Sequence, residues 1–321
     1  MQCSKQINTQ KKIKFIDFCS GIGAGRIALE QNDMICVGHS EISERANEVY
    51  FYLHNDKNNF GDITKIDPKK LPDFDLMIAG FPCQSFSIVG KRKGLNDNRG
   101  KIIFNLVEIL KIKKPKYFIF ENVKGLVNHD KGKTIQKILN VLKKVGYNVE
   151  YKILNSLDYK IPQYRERVYF VGKQKNISSP ILWPKKIKKD KLSKYLIETN
   201  PKYVLQINET FQKYLNNEFN GNKFNLNDIL NQEYIVLDTR QSDLRIYEDR
   251  IPTLRHGRHG ILYVKNGKLR KLSPKEAFLL QGFSLKEIKK IPKNFNENSL
   301  LSLIGNAMTI SVVNSIARVN F

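Results

Sequence analysis

The sequence predicts an α/β fold, with a doubly wound, mostly parallel sheet and a smaller, irregular domain. Three observations predict it. Short apolar segments alternate with helix-like ones through the first half. The first apolar segment runs into a glycine turn, Ser20-Gly21-Ile22-Gly23-Ala24-Gly25, of the kind that joins a strand to a helix at a ligand-binding edge. After Gly172 the periodicity weakens, and Lys, Asn and Tyr dominate residues 173 to about 250.

Residues 13–19 read as the first strand, and a helix starts at 27–30. Residues 34–39 form a second strand, ending at Glu41. Residues 75–79 form a third, followed at once by Pro82-Cys83. A helix over 102–112 leads to a strand over 117–120, with Glu121 at its exit. Residues 133–145 have helical spacing, and Gly146 is placed to end the helix. Residues 149–154 and 168–171 complete the strands. Near the C-terminus, a helix over 272–281 starts after Ser273-Pro274, and a small-residue-rich helix over 303–319 closes the chain. The expected division is 1–172, 173–265 and 266–321, the last returning to the first. Ligands of such sheets gather at the carboxyl ends of the strands, where Gly21, Glu41, Cys83 and Glu121 all fall.

The chain has 55 Lys and Arg against 31 Asp and Glu, a formal net charge of +24. Nucleic acid is the leading acidic partner, although a lysine-rich surface from biased composition explains the charge equally well. Apolar runs such as Phe118-Ile119-Phe120 are too short to span a bilayer, and the N-terminus has no apolar signal core. A cytoplasmic, monomeric protein without membrane contact is expected. Cys3, Cys19, Cys36 and Cys83 form no C-x-x-C pair, so neither a metal site nor a disulfide framework is predicted.

Several residues at strand exits suit chemistry. Glycines in the turn let a ligand approach the backbone. Glu41 could accept ribose hydroxyls and Asp62 an adenine amino proton, although each acid alone fits a loop cap as well. Cys83 follows Pro82 in a polar loop rather than a core position, which separates it from the common inert buried cysteine. Arg165 and Arg167 are two apart in an extended segment, so both would face one way, toward phosphate or carboxylate, although a surface ion pair with Glu166 explains them equally well.

The order of these segments resembles the DNA (cytosine-5) methyltransferase family over nearly the whole chain. The stretch 17–30 resembles its cofactor-binding glycine motif, and Gly80-Phe81-Pro82-Cys83-Gln84-Ser85-Phe86-Ser87 its catalytic loop. Glu121-Asn122-Val123 resembles its catalytic glutamate motif, and Gln163-Tyr164-Arg165-Glu166-Arg167 its arginine motif. The stretches 270–283 and Ile304-Gly305-Asn306-Ala307-Met308 resemble its last two. The resemblance implies an S-adenosylmethionine-dependent methyltransferase fold, with residues 173–265 as target-recognition domain. It implies a catalytic group of Cys83, Glu121, Arg165 and Arg167, with Arg165 holding the base carbonyl. It implies a cofactor site built from Phe18, Cys19, Gly21, Ile22, Gly23, Glu41, Ile42, Asp62, Ile63, Gly80, Pro82, Asn306 and Ala307. Double-stranded DNA would be the substrate, with a cognate restriction endonuclease acting separately. Ser85, Ser87, Arg99, Arg240 and Arg245 are the candidate DNA contacts.

The chain departs from the family pattern where many relatives carry an adenine-stacking aromatic. Cys19 stands there, and strand alternation should turn the adjacent Phe18 to the other face. Ile42 is also non-aromatic, and Gly25 replaces a larger apolar residue. An RNA-acting relative of the same fold and an inactive DNA-binding relative are the alternatives. The first usually has a further cysteine that this chain lacks, and intact Cys83, Glu121, Arg165 and Arg167 argue against the second.

Overall fold

A computed structural model describes residues 12–82, 102–216, 223–241 and 243–321. The first half lays down β1 (Lys14–Phe18), α1 (Ala24–Glu30), β2 (Ile35–Ser40), α2 (Glu44–His54), β3 (Leu76–Gly80), α3 (Ile102–Lys113) and β4 (Tyr117–Val123). There follow α4 (Gly125–Asn128), α5 (Lys133–Lys144), β5 (Tyr147–Asn155), β6 (Gln163–Tyr164) and β7 (Glu166–Gln174). Six strands form one sheet in the order β2-β1-β3-β4-β7-β5. The first four pair in parallel, while β7 is antiparallel to both β4 and β5. The chain reaches β7 from β5 through a short connection instead of a helical crossover, and that reverses one strand of an otherwise parallel sheet.

Strand alternation divides the core between the two faces. Phe15, Ile78, Ile119 and Val171 pack with Ile27 of α1 and Val49 of α2. Their neighbours Ile16, Met77, Phe118, Phe120 and Phe170 pack with Leu106 of α3 and Ile138 and Leu142 of α5. In α5, Ile135, Ile138, Leu139 and Leu142 are buried at helical spacing, each contributing about 1.5–3 kcal/mol. Gly146, at φ +100°, turns the chain out of that helix.

The second half adds α6 (Glu209–Asn216), α7 (Leu226–Leu230), β8 (Val236–Asp238), β9 (Arg245–Tyr247), β10 (Ile251–Pro252), β11 (Ile261–Lys265) and β12 (Lys268–Lys271). An antiparallel sheet, β12-β11-β8-β9, encloses its own cluster of Phe211, Leu215, Ile229, Leu237, Leu262, Val264 and Leu269. This sheet runs on to Lys271. Residues just after β7 lie elsewhere: Ile181 and Trp183 pack on the main core, and Leu182 exchanges backbone hydrogen bonds with the Asn320 side chain.

The chain ends with α8 (Pro274–Leu279), α9 (Leu285–Ile288), α10 (Glu297–Asn306) and α11 (Ile310–Asn320). Ser273 and Glu276 form a reciprocal capping box at α8, with Pro274 in its first turn. The single closing helix expected from sequence is two helices, because Ala307 is extended. Its carbonyl accepts from Arg165 Nη2 (2.8 Å) and Gln281 Nε2 (3.0 Å), which leaves it out of a helical ladder. The stretch Glu297–Asn320 is long and apolar enough by composition to cross a membrane, which inspection of short apolar runs overlooked. It is broken at Ala307 and 67% of its apolar window is buried in the protein, with Val313 and Ile316 in the main core.

Candidate active site

The expected cofactor rim starts at the exit of β1. The backbone there is left-handed at Cys19, Gly21 and Gly23, with φ of 50°, 54° and 80°. Around Gly21 there is open space where a side chain would stand. Behind Gly23 the space is taken: a Cβ would overlap His54 and lie 2.8 Å from Tyr50 Cε2. Glu41 closes the rim, its carboxylate accepting from Gly21 N and Ser43 N at 2.8 Å each. Each oxygen keeps lone-pair capacity for a hydroxyl. Asn59 ties this exit to the next turn, donating to Glu41 O (2.9 Å) and accepting from Glu41 N (3.0 Å) and Gly61 N (2.9 Å). Asp62 follows, held below the usual carboxylate range by the Thr64 backbone and hydroxyl.

Gly21, Glu41 and Asp62 thus share one rim around Cys19. Burial pushes the Cys19 thiol far up, and Glu41, Asp17 and Asp62 add to the effect, so this cysteine stays protonated. The Glu41 and Asp62 carboxylates near a turn with free space suit a cationic ligand carrying a ribose. Buried Ser20 Oγ has no hydrogen-bond partner, and Ile42 is 72% exposed, an aliphatic surface beside Glu41. These features fit the expected cofactor. Met308 lies against Gly80, its Cε 3.0 Å from where a Cβ would stand, so the break between α10 and α11 joins the same rim. Asn306 is exposed there.

Some predicted cofactor residues have other side-chain roles. Phe18 is fully buried and tilted against Phe74, with ring centroids 6.4 Å apart. Ile22 and Ile63 are also core residues, and Ala307 is buried. The side chains of these residues are spent on packing.

The catalytic exits lie beside it. Gly80 and Glu121 are register partners on β3 and β4. Asn122 Nδ2 donates to Phe81 O at 3.0 Å, both buried, and so fixes the root of the Pro82-Cys83 loop against Glu121. Cys83, Ser85, Ser87 and Arg99 lie outside the described residues. Glu121 is buried, which raises its pKa above the ordinary value although Arg167 and Arg165 pull the other way. Arg167 Nε stands 3.2 Å from Glu121 Oε1, but its N–H is not aimed there and that oxygen makes no hydrogen bond.

The two arginines do not face one way. Arg165 falls between β6 and β7, where the strand is interrupted, so alternation does not carry across it. Its guanidinium is buried and donates to Leu254 O (2.9 Å), Gly305 O (3.3 Å) and Ala307 O (2.8 Å). Arg165 clamps backbone, and Arg167 is the arginine at the glutamate. Arg240, a predicted DNA contact, is likewise engaged: Nε and Nη2 pair with both Asp238 oxygens (2.7 and 2.8 Å), and Nη1 donates to Thr253 O (2.6 Å). Arg245 is exposed and pairs with Asp243 at 3.1 Å. The sequence reading gave no role to Asn122 or to the basic turn after Leu254, although the repeated Arg-His pattern of that turn marks it.

The C-5 cytosine-specific DNA methylase family matches residues 13–320. The chain belongs to this family. Among methylase relatives, type II methyltransferase M1.ScrFI of Lactococcus lactis is 34% identical over 96% of this chain and 77% of that protein. Type II methyltransferase M.NgoBI of Neisseria gonorrhoeae is 45% identical over 60% of this chain, and orphan methyltransferase M.Rho11sI of Bacillus phage rho11s is 45% identical over 57%. Those two matches span 61% and 37% of the relatives' own lengths. The methylase fold is shared with the Entamoeba histolytica methyltransferase EhMeth, at TM-score 0.73, 21% identity and 95% and 97% coverage of the two chains. It is shared also with the S. pombe Dnmt2 methyltransferase, at TM-score 0.68, 22% identity and 97% and 100% coverage.

Proposed function

We propose that this methylase transfers a methyl group to C5 of a cytosine in duplex DNA, with Cys83 as nucleophile. The observation that carries the reading is buried Glu121 beside Arg167, one strand from the Phe81 carbonyl that Asn122 fixes at the root of the Cys83 loop. S-adenosylmethionine, when bound on the rim of Gly21, Glu41 and Asp62, supplies the electrophilic methyl group.

The protein's residues prepare the base. The Cys83 thiolate forms a bond to C6, and the displaced electron pair moves toward N3. Glu121, favoured by burial as the neutral acid, hands its proton to N3 and accepts from the exocyclic amine. Arg167, rather than Arg165, holds the base carbonyl, because Arg167 stands at Glu121 while Nη1 and Nη2 of Arg165 are bonded to backbone carbonyls. C5 thereby gains the electron density it lacks in free cytosine. After C5 is methylated, its proton passes to water, the C5–C6 double bond re-forms as Cys83 leaves as the thiolate, and N3 returns its proton to Glu121. The target atom is inaccessible in a stacked duplex, so the base is flipped into the crevice.

The net charge of +24 serves the backbone contacts. The small sheet and its cluster, through Lys271, carry target recognition, with Arg245 among the exposed candidates. The type II names of two relatives support a restriction-modification context, in which a companion restriction endonuclease would act separately in the cytoplasm. The reading is tested with tritiated cofactor on mixed-sequence duplex DNA, with structured RNA in parallel. Label at cytosine C5 of DNA is expected. Label on RNA alone, or none, overturns the reading.

A further inference from the structure

Gln281 follows the C-cap of α8 and is fully buried. Both of its amide protons and both lone pairs of its side-chain oxygen are used. Nε2 donates to Ile304 O (2.9 Å) and Ala307 O (3.0 Å), and Oε1 accepts from Gln163 Nε2 (3.1 Å) and Thr309 Oγ1 (3.3 Å). Its backbone carbonyl accepts from Ile310 N at 3.0 Å. One residue therefore holds the chain at 304, 307, 309 and 310, on both sides of the break between α10 and α11. Gln163 is itself fixed, because it donates to Leu280 O (2.8 Å) and accepts from Leu254 N (3.0 Å). Reversing the Gln281 amide would set its oxygen against two carbonyls, so the buried network admits one orientation.

Thr309 stands at the N-cap of α11, where a threonine hydroxyl ordinarily accepts from the first turn. Here it caps nothing; it lies 2.8 Å from Ser156 Oγ and donates to Gln281. The helix gives up a side-chain cap, and the hydroxyl goes to the network instead. Gly282 allows the close approach: its φ is +97°, and a Cβ there would stand 3.1 Å from Ile310 Cβ.

Each partner of the carboxamide also has a second bond. Ile304 O accepts from Ala307 N (3.1 Å) and Ala307 O from Arg165 Nη2 (2.8 Å). Gln163 Nε2 keeps Leu280 O, and Thr309 Oγ1 keeps Ser156 Oγ. Removing the Gln281 amide strands none of them, so the loss falls on the shape of the break more than on the fold. That break carries exposed Asn306 and sets Met308 against Gly80.

We propose that Gln281 is a positioning residue for cofactor binding. Its carboxamide holds residues 304–310 in the broken conformation that keeps Asn306 and Met308 on the expected cofactor rim. It acts through the backbone and touches neither reactant. The inference rests on the cofactor site proposed above.

Gln281→Met keeps the length of the side chain and removes its polar atoms. Asn320→Leu is the control: it removes a comparable amide at the far end of α11, where Asn320 bonds Leu182 and Ile316 O. Calorimetric affinity for S-adenosylhomocysteine should fall about tenfold in Gln281→Met and stay within about twofold in Asn320→Leu. KM for S-adenosylmethionine should rise in Gln281→Met while kcat at saturation stays within about twofold, since ground and transition states share the lost interaction. Thr309→Val removes one hydroxyl from the network and should weaken the affinity at least about twofold. That variant decides the matter if Gln281→Met does not fold. Amide hydrogen exchange at 305–310 should quicken in Gln281→Met, with exchange in the main sheet unchanged. Unchanged affinity in Gln281→Met or Thr309→Val, an equal loss in Asn320→Leu, or unchanged exchange at 305–310 overturns the proposal. An unmodified protein that binds no S-adenosylhomocysteine contradicts the cofactor reading instead, and the exchange measurement then decides whether Gln281 holds the break.

Discussion

Arg167 Nε lies 3.2 Å from Glu121 Oε1, with the two side chains only 14% and 9% exposed. Two effects oppose each other there. The guanidinium favours the carboxylate, and burial favours the neutral acid. Burial is the larger, so Glu121 titrates above its ordinary 4.5. A buried carboxylic acid next to a cation can both give and take a hydrogen bond, as the face of a cytosine requires.

Glu121→Gln should lower kcat about 10²- to 10⁴-fold while leaving cofactor affinity intact. It should also change stability with a definite sign. A raised acid contributes stability below its unfolded value and loses it as pH rises through the folded one. The unmodified protein should therefore lose ground to Glu121→Gln as pH climbs above 4.5. Urea midpoints at low and neutral pH measure the difference, and the opposite trend would contradict a buried acid.

Arg165 and Arg167 should separate by phenotype. Arg165→Ala strands three buried carbonyls, and charge-assisted bonds contribute about 1.5–3 kcal/mol each, so a stability loss of about 3 kcal/mol or more is expected in urea. Arg167→Ala should keep the fold and lower kcat/KM about 100-fold, the scale of losing one donor to a developing charge. Equal loss of stability in both would refute the division of roles.

Asn122 touches neither reactant in the proposed mechanism. Asn122→Ala leaves the buried Phe81 carbonyl without its donor, at a cost of about 1–3 kcal/mol. Loosening the root of the Cys83 loop should reduce the single-turnover methyl-transfer rate about 100-fold with little change in KM. An unaltered rate in a folded variant would show that the loop is positioned by other contacts.

Gly23→Ala tests the cofactor turn. At φ +80° an L-residue costs about 1–2 kcal/mol, and the added methyl overlaps His54. Cofactor affinity should weaken about tenfold or more by calorimetry, since 1.4 kcal/mol is a factor of ten. Binding as tight as that of the unmodified protein would place the cofactor away from this turn.

The sheet was legible where the sequence is apolar and local. Phe118, Ile119 and Phe120 are buried on alternate faces and mark β4 from sequence alone, and Ser273-Pro274 announces α8. The reversal of β7 was not legible, because direction depends on how a connection closes. The expectation that Arg165 and Arg167 face one way failed because the carbonyl partners of Arg165 at 254, 305 and 307 are distant in sequence and β6 ends just before it. The engagement of Arg240 was hidden in another way: basic composition is visible, but pairing with Asp238 two residues earlier is a matter of geometry. The break at Ala307 has the same origin, since a helix-compatible residue is pulled out by carbonyl contacts with Arg165 and Gln281.

The central claim is covalent attack by Cys83, and trapping tests it most directly. Duplex DNA in which every cytosine is replaced by 5-fluorocytosine removes the need to know the recognition sequence. Fluorine cannot leave C5 as the proton does, so the reaction stops after methyl transfer. The account predicts a denaturant-stable protein–DNA adduct that forms only with S-adenosylmethionine present and maps to the Cys83 peptide. An active enzyme that gives no adduct, or an adduct on another residue, would contradict it.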